Sequence, residues 1–193
     1  MLGISRDLGH RDLQANALLV LGDLRQTTGD YPGAARYLEE ALGIYRDIGH
    51  RVNEANTLTK LGSVRRMTGD YPGAARDLEE ALRIYRQVGD QGGEAEALNE
   101  AGTLHRACGD LRQAGSCHEH ALNLARQIGS AWDEAHALAG LGRCALAADH
   151  ATKAEDMLLQ ALEIFERIGA AEGAAVSTEL QALIGARPTA QGH

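Results

Sequence analysis

The chain has 193 residues, of which 44% are hydrophobic and 4% aromatic, and it carries a formal net charge of −8. Nucleic-acid binding needs basic patches that neutralise phosphates, so this acidic balance argues against DNA or RNA as a partner. No apolar run reaches the roughly 18 residues of a membrane-spanning helix, and the N-terminus lacks a signal peptide's apolar stretch, so we expect no membrane partner and a cytoplasmic location.

The sequence repeats itself every forty residues. The octapeptide Gly29–Arg36 returns unchanged as Gly69–Arg76. Self-similarity at such a period is typical of an array of stacked units, each of which buries its apolar face only against its neighbours. The period persists through nearly the whole chain at glycine, alanine and leucine positions, for example at Gly22, Gly62, Gly102 and Gly142.

The first residues fall in the middle of a period. Stepping forty residues back from Ala41–Ile44 leads to Met1–Ile4. Residues 1–10 are therefore predicted to be the truncated second helix of a preceding unit, ending at Gly9, because glycine suits the left-handed conformation after a helix. This phase also predicts that the chain was cut from a longer polypeptide.

Residues 11–170 are predicted to form four units of two antiparallel helices. In the first unit, apolar residues at helical spacing predict a helix over 11–27. A second helix begins after Asp30, a good N-cap, has Pro32 in its first turn and ends at Gly49. In the fourth unit the residues Ala148-Asp149-His150 replace the usual turn sequence, so the sequence does not predict the geometry of this turn. The repeat predicts the remaining helices over about 51–67, 71–88, 91–107, 111–128, 131–147 and 151–168.

The last part of the chain departs from the repeat. A ninth helix over 171–185 is predicted to cap the array, because the polar Thr178 and Gln181 stand where the second unit has Leu58 and Leu61. Residues 186–193 are predicted to be a disordered tail.

The repeated residues resemble the tetratricopeptide repeat. The first unit fills the slots of that pattern with Leu18, Leu21-Gly22, Gly29-Asp30-Tyr31, Ala34, Leu38 and Ala41. The resemblance implies an all-α fold: a right-handed α-solenoid of stacked antiparallel helix hairpins, the TPR superhelix. The period of forty exceeds the usual repeat of about 34 residues. Longer repeats of this kind are similar to those of kinesin light chains, spindle-orienting scaffold proteins and the C-terminal regions of actinobacterial transcriptional regulators, and the last group matches best.

The resemblance implies a non-catalytic scaffold that binds a protein or peptide, either from another molecule or from its own parent protein, which we interpret as a larger bacterial signalling or transcriptional regulator. In this family the first helices line a concave groove. Amide, hydroxyl and guanidinium groups there could hold the backbone and carboxylates of an extended peptide. The candidate groove residues stand one position after the core stripe: Asn16, Leu19, Asp23 and Gln26; Asn56, Thr59, Ser63 and Arg66; Glu96, Asn99, Thr103 and Arg106; and His136, Ala139 and Arg143.

Other interpretations of these features stay open. The groove stripe could be an ordinary solvated face, and the array could instead self-associate as a homo-oligomer, either through an exposed apolar end or through the groove. A metal-binding protein is a further alternative, because Cys108, Cys117, His118 and His120 are metal-ligand types, but their spacing fits no zinc pattern. His118 stands in a leucine slot and Cys144 in an aliphatic slot, which favours core positions for both.

No chemistry-bearing motif is legible in the sequence. It has no Ser-His-Asp constellation, phosphate loop or dinucleotide fingerprint, so we predict neither an enzyme nor a cofactor. The three cysteines, at unrelated spacings, are predicted to be free thiols in a reducing compartment.

Overall fold

The described part of the protein is helical, with no strand among residues 2–185. The computed structural model describes residues 2–185, with side chains from residue 9 onward, so the tail predicted at 186–193 lies outside the described residues. The bounds of the second to eighth helices agree with the predicted ranges. The helices are α1 (Leu2–Thr27), α2 (Tyr31–Ile48), α3 (Arg51–Met67), α4 (Tyr71–Val88), α5 (Gln91–Ala107), α6 (Leu111–Ile128), α7 (Ala131–Ala147), α8 (Ala151–Ile168) and α9 (Glu172–Gly185).

The helices follow one another in space as they do in the chain. Each helix packs against the next one, and α3 also packs against α5, as α5 does against α7. The first helices of neighbouring hairpins therefore lie side by side and form one face of the array. The predicted all-α solenoid of stacked hairpins is confirmed. None of the described helices has an apolar stretch long enough to cross a membrane.

Capping residues begin and end the second helices. The Asp30 side chain accepts a hydrogen bond from the backbone N–H of Gly33 at 3.0 Å, which satisfies one free donor of the first turn. Pro32 lies in that turn, where its missing N–H costs little. At the other end Gly49 is left-handed, with φ of 72°. These local signals explain why α2 begins and ends where the sequence predicts.

Within each hairpin, a glycine of the first helix lets the second helix come close. A Cβ atom placed on Gly22 would lie 2.8 Å from Cγ of Leu38, and one on Gly142 would lie 2.8 Å from Cγ of Leu158. Both leucines are fully buried. The glycines that recur every forty residues therefore serve close helix packing.

The helix end predicted at Gly9 is wrong. The chain is helical without a break from Leu2 to Thr27, so Gly9 lies inside α1. It is not among the glycines with positive φ, whereas Gly49 and Gly89 are. A glycine inside a helix costs only about 0.5–1 kcal/mol relative to alanine, so the residue type by itself does not force a break.

The turn of the fourth hairpin keeps the geometry of the others despite its different residues. Asp149 has φ of 61°, close to the left-handed values of Gly29, Gly69 and Gly109, and is the only non-glycine with positive φ in the described chain. His150 takes the N-cap position of α8, but its side chain makes no capping hydrogen bond. Tertiary packing therefore maintains this turn without the usual residues.

Candidate binding groove

Two adjoining cavities open on the face formed by the first helices, and we call them together the groove. They share Gln26, Lys60 and Ser63, so the groove is continuous. The larger cavity, about 640 Å³, is lined by Asp23, Gln26, Thr27, Tyr31, Lys60, Ser63, Arg66, Met67, Trp132 and Glu172. The smaller, about 110 Å³, is lined by Gln26, Thr59, Lys60, Ser63, Glu96 and Glu100.

Part of the predicted stripe lines this groove. The structure brings together residues from the first three hairpins, which are Asp23, Gln26, Thr59, Ser63, Arg66 and Glu96. The remaining predicted residues do not line either cavity. The prediction that these side chains bind a peptide stays a prediction, and the structure adds what each of them contacts.

Two predicted groove residues are nearly enclosed by neighbouring helices, although one of them, Thr59, also lines the smaller cavity. Thr59 is 2% exposed, and its hydroxyl donates to the carbonyl of Ala55 at 3.0 Å. Asn99 is 8% exposed, and its Nδ2 donates to the carbonyl of Asp133, on α7, at 3.2 Å. Both polar groups already have partners inside the array, so the structure gives them a packing role. Ala139, at 1% exposed, is likewise core.

Other predicted residues at the ends of the stripe are also engaged. The Tyr45 hydroxyl donates to Oδ1 of Asn16 at 2.9 Å, which joins α2 to α1. Leu19 is half-buried against the core, and Asn56 is half-buried. The hydroxyl of Thr103 donates to the backbone carbonyl of Asn99 at 3.0 Å.

At the far end of the stripe, His136 belongs to an aromatic cluster. Its ring centroid lies 4.6 Å from that of Trp132 and 5.0 Å from that of Phe165, the latter in an edge-on arrangement. His136 Nδ1 is 2.9 Å from the carbonyl oxygen of Trp132, one turn earlier in α7. This cluster holds the indole of Trp132, which is 46% exposed, at the wall of the larger cavity.

Ion pairs join the first helices of neighbouring hairpins. Lys60 Nζ on α3 lies 3.0 Å from Oδ1 of Asp23 on α1, and Arg66 on α3 lies 3.5 Å from Glu100 on α5. The guanidinium of Arg143 on α7 donates to both carboxylate oxygens of Glu179 on α9, at 2.9–3.2 Å. The guanidinium of Arg106 makes no ion pair or hydrogen bond within residues 9–185.

Sequence reasoning missed several residues that line the groove. Lys60 and Glu100 stand one position beyond the predicted stripe, so a stripe two residues wide would have included both. Met67 likewise follows Arg66 of the stripe, whereas Trp132 and Glu172 carry no such signal, because they reach the same cavity from α7 and α9. Only the path of the whole array decides that α7 and α9 face the ends of α1 and α3.

The groove has an acidic centre. The pKa of Glu96 is raised from its ordinary value, chiefly because surrounding protein removes water from its carboxylate. Lys60 acts against that shift, while Asp133, Glu100 and Asp23 add to it. The Glu96 side chain is nevertheless exposed to solvent, and it lines the smaller cavity.

A buried histidine lies between the third and fourth hairpins. His118 is 1% exposed, its Nδ1 is 3.1 Å from Oδ1 of Asn99, and its Nε2 has no partner in the described chain. Burial first, and then the cations of Arg106 and Arg143, lower the pKa of His118 to about 4. The core position predicted for this histidine is confirmed.

The remaining cysteine and metal hypotheses can also be checked. Cys144 is 7% exposed, which confirms its predicted place in the core. Burial raises the pKa of the thiols of Cys117 and Cys144. Among the side chains of residues 9–185, no three His, Cys, Asp or Glu residues come together as metal ligands would.

The sequence profile of the tetratricopeptide repeat family matches residues 13–87 and 93–167, which together make up most of the chain. The protein belongs to the tetratricopeptide repeat family. This membership supports a scaffold for protein–protein interaction. No curated protein sequence matches the chain.

Several solved structures share the fold. A Rap protein complexed with Competence and Sporulation Factor is similar with a TM-score of 0.82 and 17% identity, over 89% of this chain and 48% of that one. BtubC from P. vanneervenii has a TM-score of 0.69 and 21% identity, over 95% of this chain and 69% of that one. PilF of Pseudomonas aeruginosa has a TM-score of 0.69 and 18% identity, over 91% and 70%. The chain spans about half the length of the Rap protein.

Proposed function

We propose that this protein is a non-catalytic scaffold whose groove binds an extended peptide or protein segment. The observation that carries the proposal is the continuous cavity on the face of the first helices, lined by side chains of α1, α3, α5, α7 and α9. The Rap protein, which shares the fold, is complexed with Competence and Sporulation Factor. The shared fold supports the same kind of role for this chain.

The chemistry of the groove suits an extended chain. Gln26 can donate and accept hydrogen bonds at once, as a peptide backbone requires, and Ser63 adds a hydroxyl on the floor. Met67 and Trp132 are 48% and 46% exposed, so they offer apolar surface to a ligand side chain. Backbone hydrogen bonds together with one apolar anchor are a common basis for peptide recognition.

A change of shape on the groove floor tests the proposal. We expect Ser63→Phe, which fills the junction of the two cavities without changing charge, to abolish binding of peptides selected from a random capped library. Gln26→Phe, at the same junction, should weaken the same peptides. Ser116→Phe, on an exposed position of α6, is the matched control and should bind as the parent protein does.

Binding is measured by calorimetry, and circular dichroism confirms that each variant keeps its helices. Selected peptides that bind both groove variants as tightly as the parent protein would exclude the groove as the site. A library that yields no binder at all would count against peptide binding itself. Alanine replacements along the predicted stripe would be a weaker test, because Asn99 is buried and its loss would also disturb packing.

We also propose that the chain is part of a larger bacterial signalling or transcriptional regulator in the cytoplasm. Two observations support this context: the resemblance of its forty-residue period to regulator repeats, and its match to only 48% of the Rap protein. The reading frame around this sequence tests the proposal. An adjoining DNA-binding or ATPase domain is expected, and a frame without any further domain would contradict it.

Self-association is a second candidate function, favoured by the edge of α1. Leu21 and Leu24 are 40% and 56% exposed, whereas their equivalents Leu61 and Val64 are both 0% exposed because α2 covers them. A second copy of the chain could cover this apolar strip. Sedimentation velocity over a concentration series tests the idea: association that Leu24→Lys abolishes would support it, and a monomer throughout would exclude it.

A further inference from the structure

We propose that the groove selects a peptide segment carrying an arginine or lysine side chain, which stacks on Trp132 and is neutralised by Glu96 and Glu172. This inference rests on the proposed peptide-binding function and names the chemical class of the partner. It depends on the larger cavity, its aromatic wall and the charges that remain after the ion pairs of the groove are counted.

The aromatic wall gives a cation a surface to stack on. Trp132 is the only tryptophan of the chain and is 46% exposed at the larger cavity. His136 and Phe165 support the indole from within the array, with Phe165 edge-on at 6.3 Å. A cation held within about 6 Å of an indole centroid is attracted by the ring, and guanidinium groups do this most often.

The charges of the groove are unequal once pairs are removed. The cations Lys60 and Arg66 are paired with Asp23 and Glu100. Two carboxylates remain that make no ion pair or hydrogen bond within the described side chains: Glu96, which lines the smaller cavity, and Glu172, which lines the larger cavity together with Trp132. The free charge of the groove is therefore negative, next to an exposed aromatic face.

The like charges around Glu96 point the same way. Burial is the main reason that the pKa of Glu96 is raised, and the carboxylates of Asp133, Glu100 and Asp23 add to the shift while Lys60 opposes it. A cation from the ligand would supply what Lys60 alone does not. An acidic ligand group would instead meet Glu96 and Glu172, so an anionic peptide is disfavoured at this end of the groove.

The opposite end of α5 offers a reference point. Arg106, which has no ion pair, lies ten residues from Glu96, which is about 15 Å along a helix. It lines neither cavity. Replacing Arg106 therefore changes the charge of the same helix without touching the cavity, which makes it a useful comparison with Glu96.

The fluorescence of Trp132 reports binding directly, because the chain has no other tryptophan. The probes are capped heptapeptides with a central arginine in an alanine–serine background, with citrulline or glutamate replacing that arginine in the matched peptides. We expect the arginine peptide to bind about tenfold tighter than the citrulline peptide, with the glutamate peptide weakest. Added salt should reduce this preference.

Variants locate the effect. Glu96→Gln with Glu172→Gln should remove most of the preference for arginine over citrulline, and Trp132→Leu, followed by calorimetry, should reduce it. Glu40→Gln, the same charge change on an exposed position of α2, and Arg106→Gln should keep it. Circular dichroism checks that each variant remains helical.

The outcomes separate this inference from the proposed function. Peptides that bind in the groove, are blocked by Ser63→Phe and show no preference for a basic side chain would overturn the inference and leave the scaffold function standing. A preference that Glu96→Gln with Glu172→Gln leaves intact would also overturn it. Absence of any binding, from the arginine peptide as from the random library, would remove both.

Discussion

The two halves of the array, residues 11–90 and 91–170, reach the same structure with different local signals. In the first half, the turns carry Gly29 and Gly69 followed by Asp30 and Asp70, and each aspartate caps the following helix. In the second half, the last turn carries Asp149 and His150, and the His150 side chain makes no capping hydrogen bond to α8. Nevertheless α4 and α8 both have 18 residues.

The difference shows that packing between helices outweighs the capping signals. The second half keeps small residues at the buried positions of its second helices. Ala154 and Ala161 are 0% exposed, as are their equivalents Ala74 and Ala81. The loss of one cap costs about 1 kcal/mol, whereas each buried leucine contributes about 1.5–3 kcal/mol. The residues of a turn can therefore change while the alanines at these buried slots stay small.

The largest expected effect is a loss of stability at acidic pH that originates from a residue of the second half. His118, buried where the first half has Leu38 and Leu78, has a folded pKa of about 4 against 6.5 when unfolded. The unfolded chain therefore takes up the proton first, so stability is full above pH 6.5 and falls as the pH drops towards 4. The loss at pH 4 is about 3 kcal/mol. Urea unfolding at pH 7 and pH 4 measures it.

His118→Leu provides the control for this prediction. The variant leaves Oδ1 of Asn99 without its partner, so its stability at pH 7 is not the informative quantity. The difference in unfolding free energy between the two pH values should shrink by about 3 kcal/mol relative to the parent protein. An unchanged pH dependence would show that the imidazole does not remain neutral in the folded array.

A second prediction is that the contact between the glycine of the first helix and the leucine of the second helix is equally sensitive to an added methyl group in both halves. A Cβ on Gly62 would lie 2.7 Å from Cγ of Leu78, and one on Gly142 would lie 2.8 Å from Cγ of Leu158. Gly62→Ala and Gly142→Ala should each lower the free energy of unfolding by about 1–3 kcal/mol. Gly115→Ala, where nothing lies within 4 Å, should instead raise it by about 0.5–1 kcal/mol. Equal behaviour of all three variants would refute the packing argument.

A third prediction restores the missing cap of the second half. His150→Asp gives α8 the residue that caps α4 and α6, so its carboxylate should accept a hydrogen bond from the first turn. We expect the free energy of unfolding to rise by about 1 kcal/mol. Asp110→Ala should lose a similar amount, because Asp110 accepts from the N–H of Gln113 at 3.0 Å. Thermal unfolding checks both, and no gain in His150→Asp would mean that the turn cannot place a cap.

The smallest expected effect concerns the left-handed residue of the same turn. Asp149 has φ of 61°, where a side chain is strained and glycine is not. Asp149→Gly should stabilise the protein by about 0.5 kcal/mol, since glycine's greater freedom in the unfolded state offsets part of the gain. The matched reversal, Gly69→Asp, should destabilise it. A higher free energy of unfolding for Asp149→Gly together with a lower one for Gly69→Asp would support this explanation. A lower free energy of unfolding for both variants would contradict it.

The sequence predicted the fold closely because the signals were local and repeated. Asp30, Pro32 and Gly49 mark helix ends within a few residues, and the period supplies each mark again forty residues later. The prediction failed at Gly9, because the residue type alone does not tell a glycine inside a helix from a glycine that ends one. The groove was predicted only in part, because Asn99 has the chemistry of a binding residue but lies buried against the next hairpin, where it donates to the carbonyl of Asp133.

By itself, the sequence determined the bounds of α2 to α8, the pairing of helices into hairpins and the close packing of each glycine against the facing helix, because all of these depend on residues near one another in the chain. Only the tertiary structure decided which polar side chains remain free and that Trp132 and Glu172 face Asp23 and Lys60 across one cavity. Those facts depend on how small rotations between successive hairpins accumulate over the array. No single period of the sequence contains that sum.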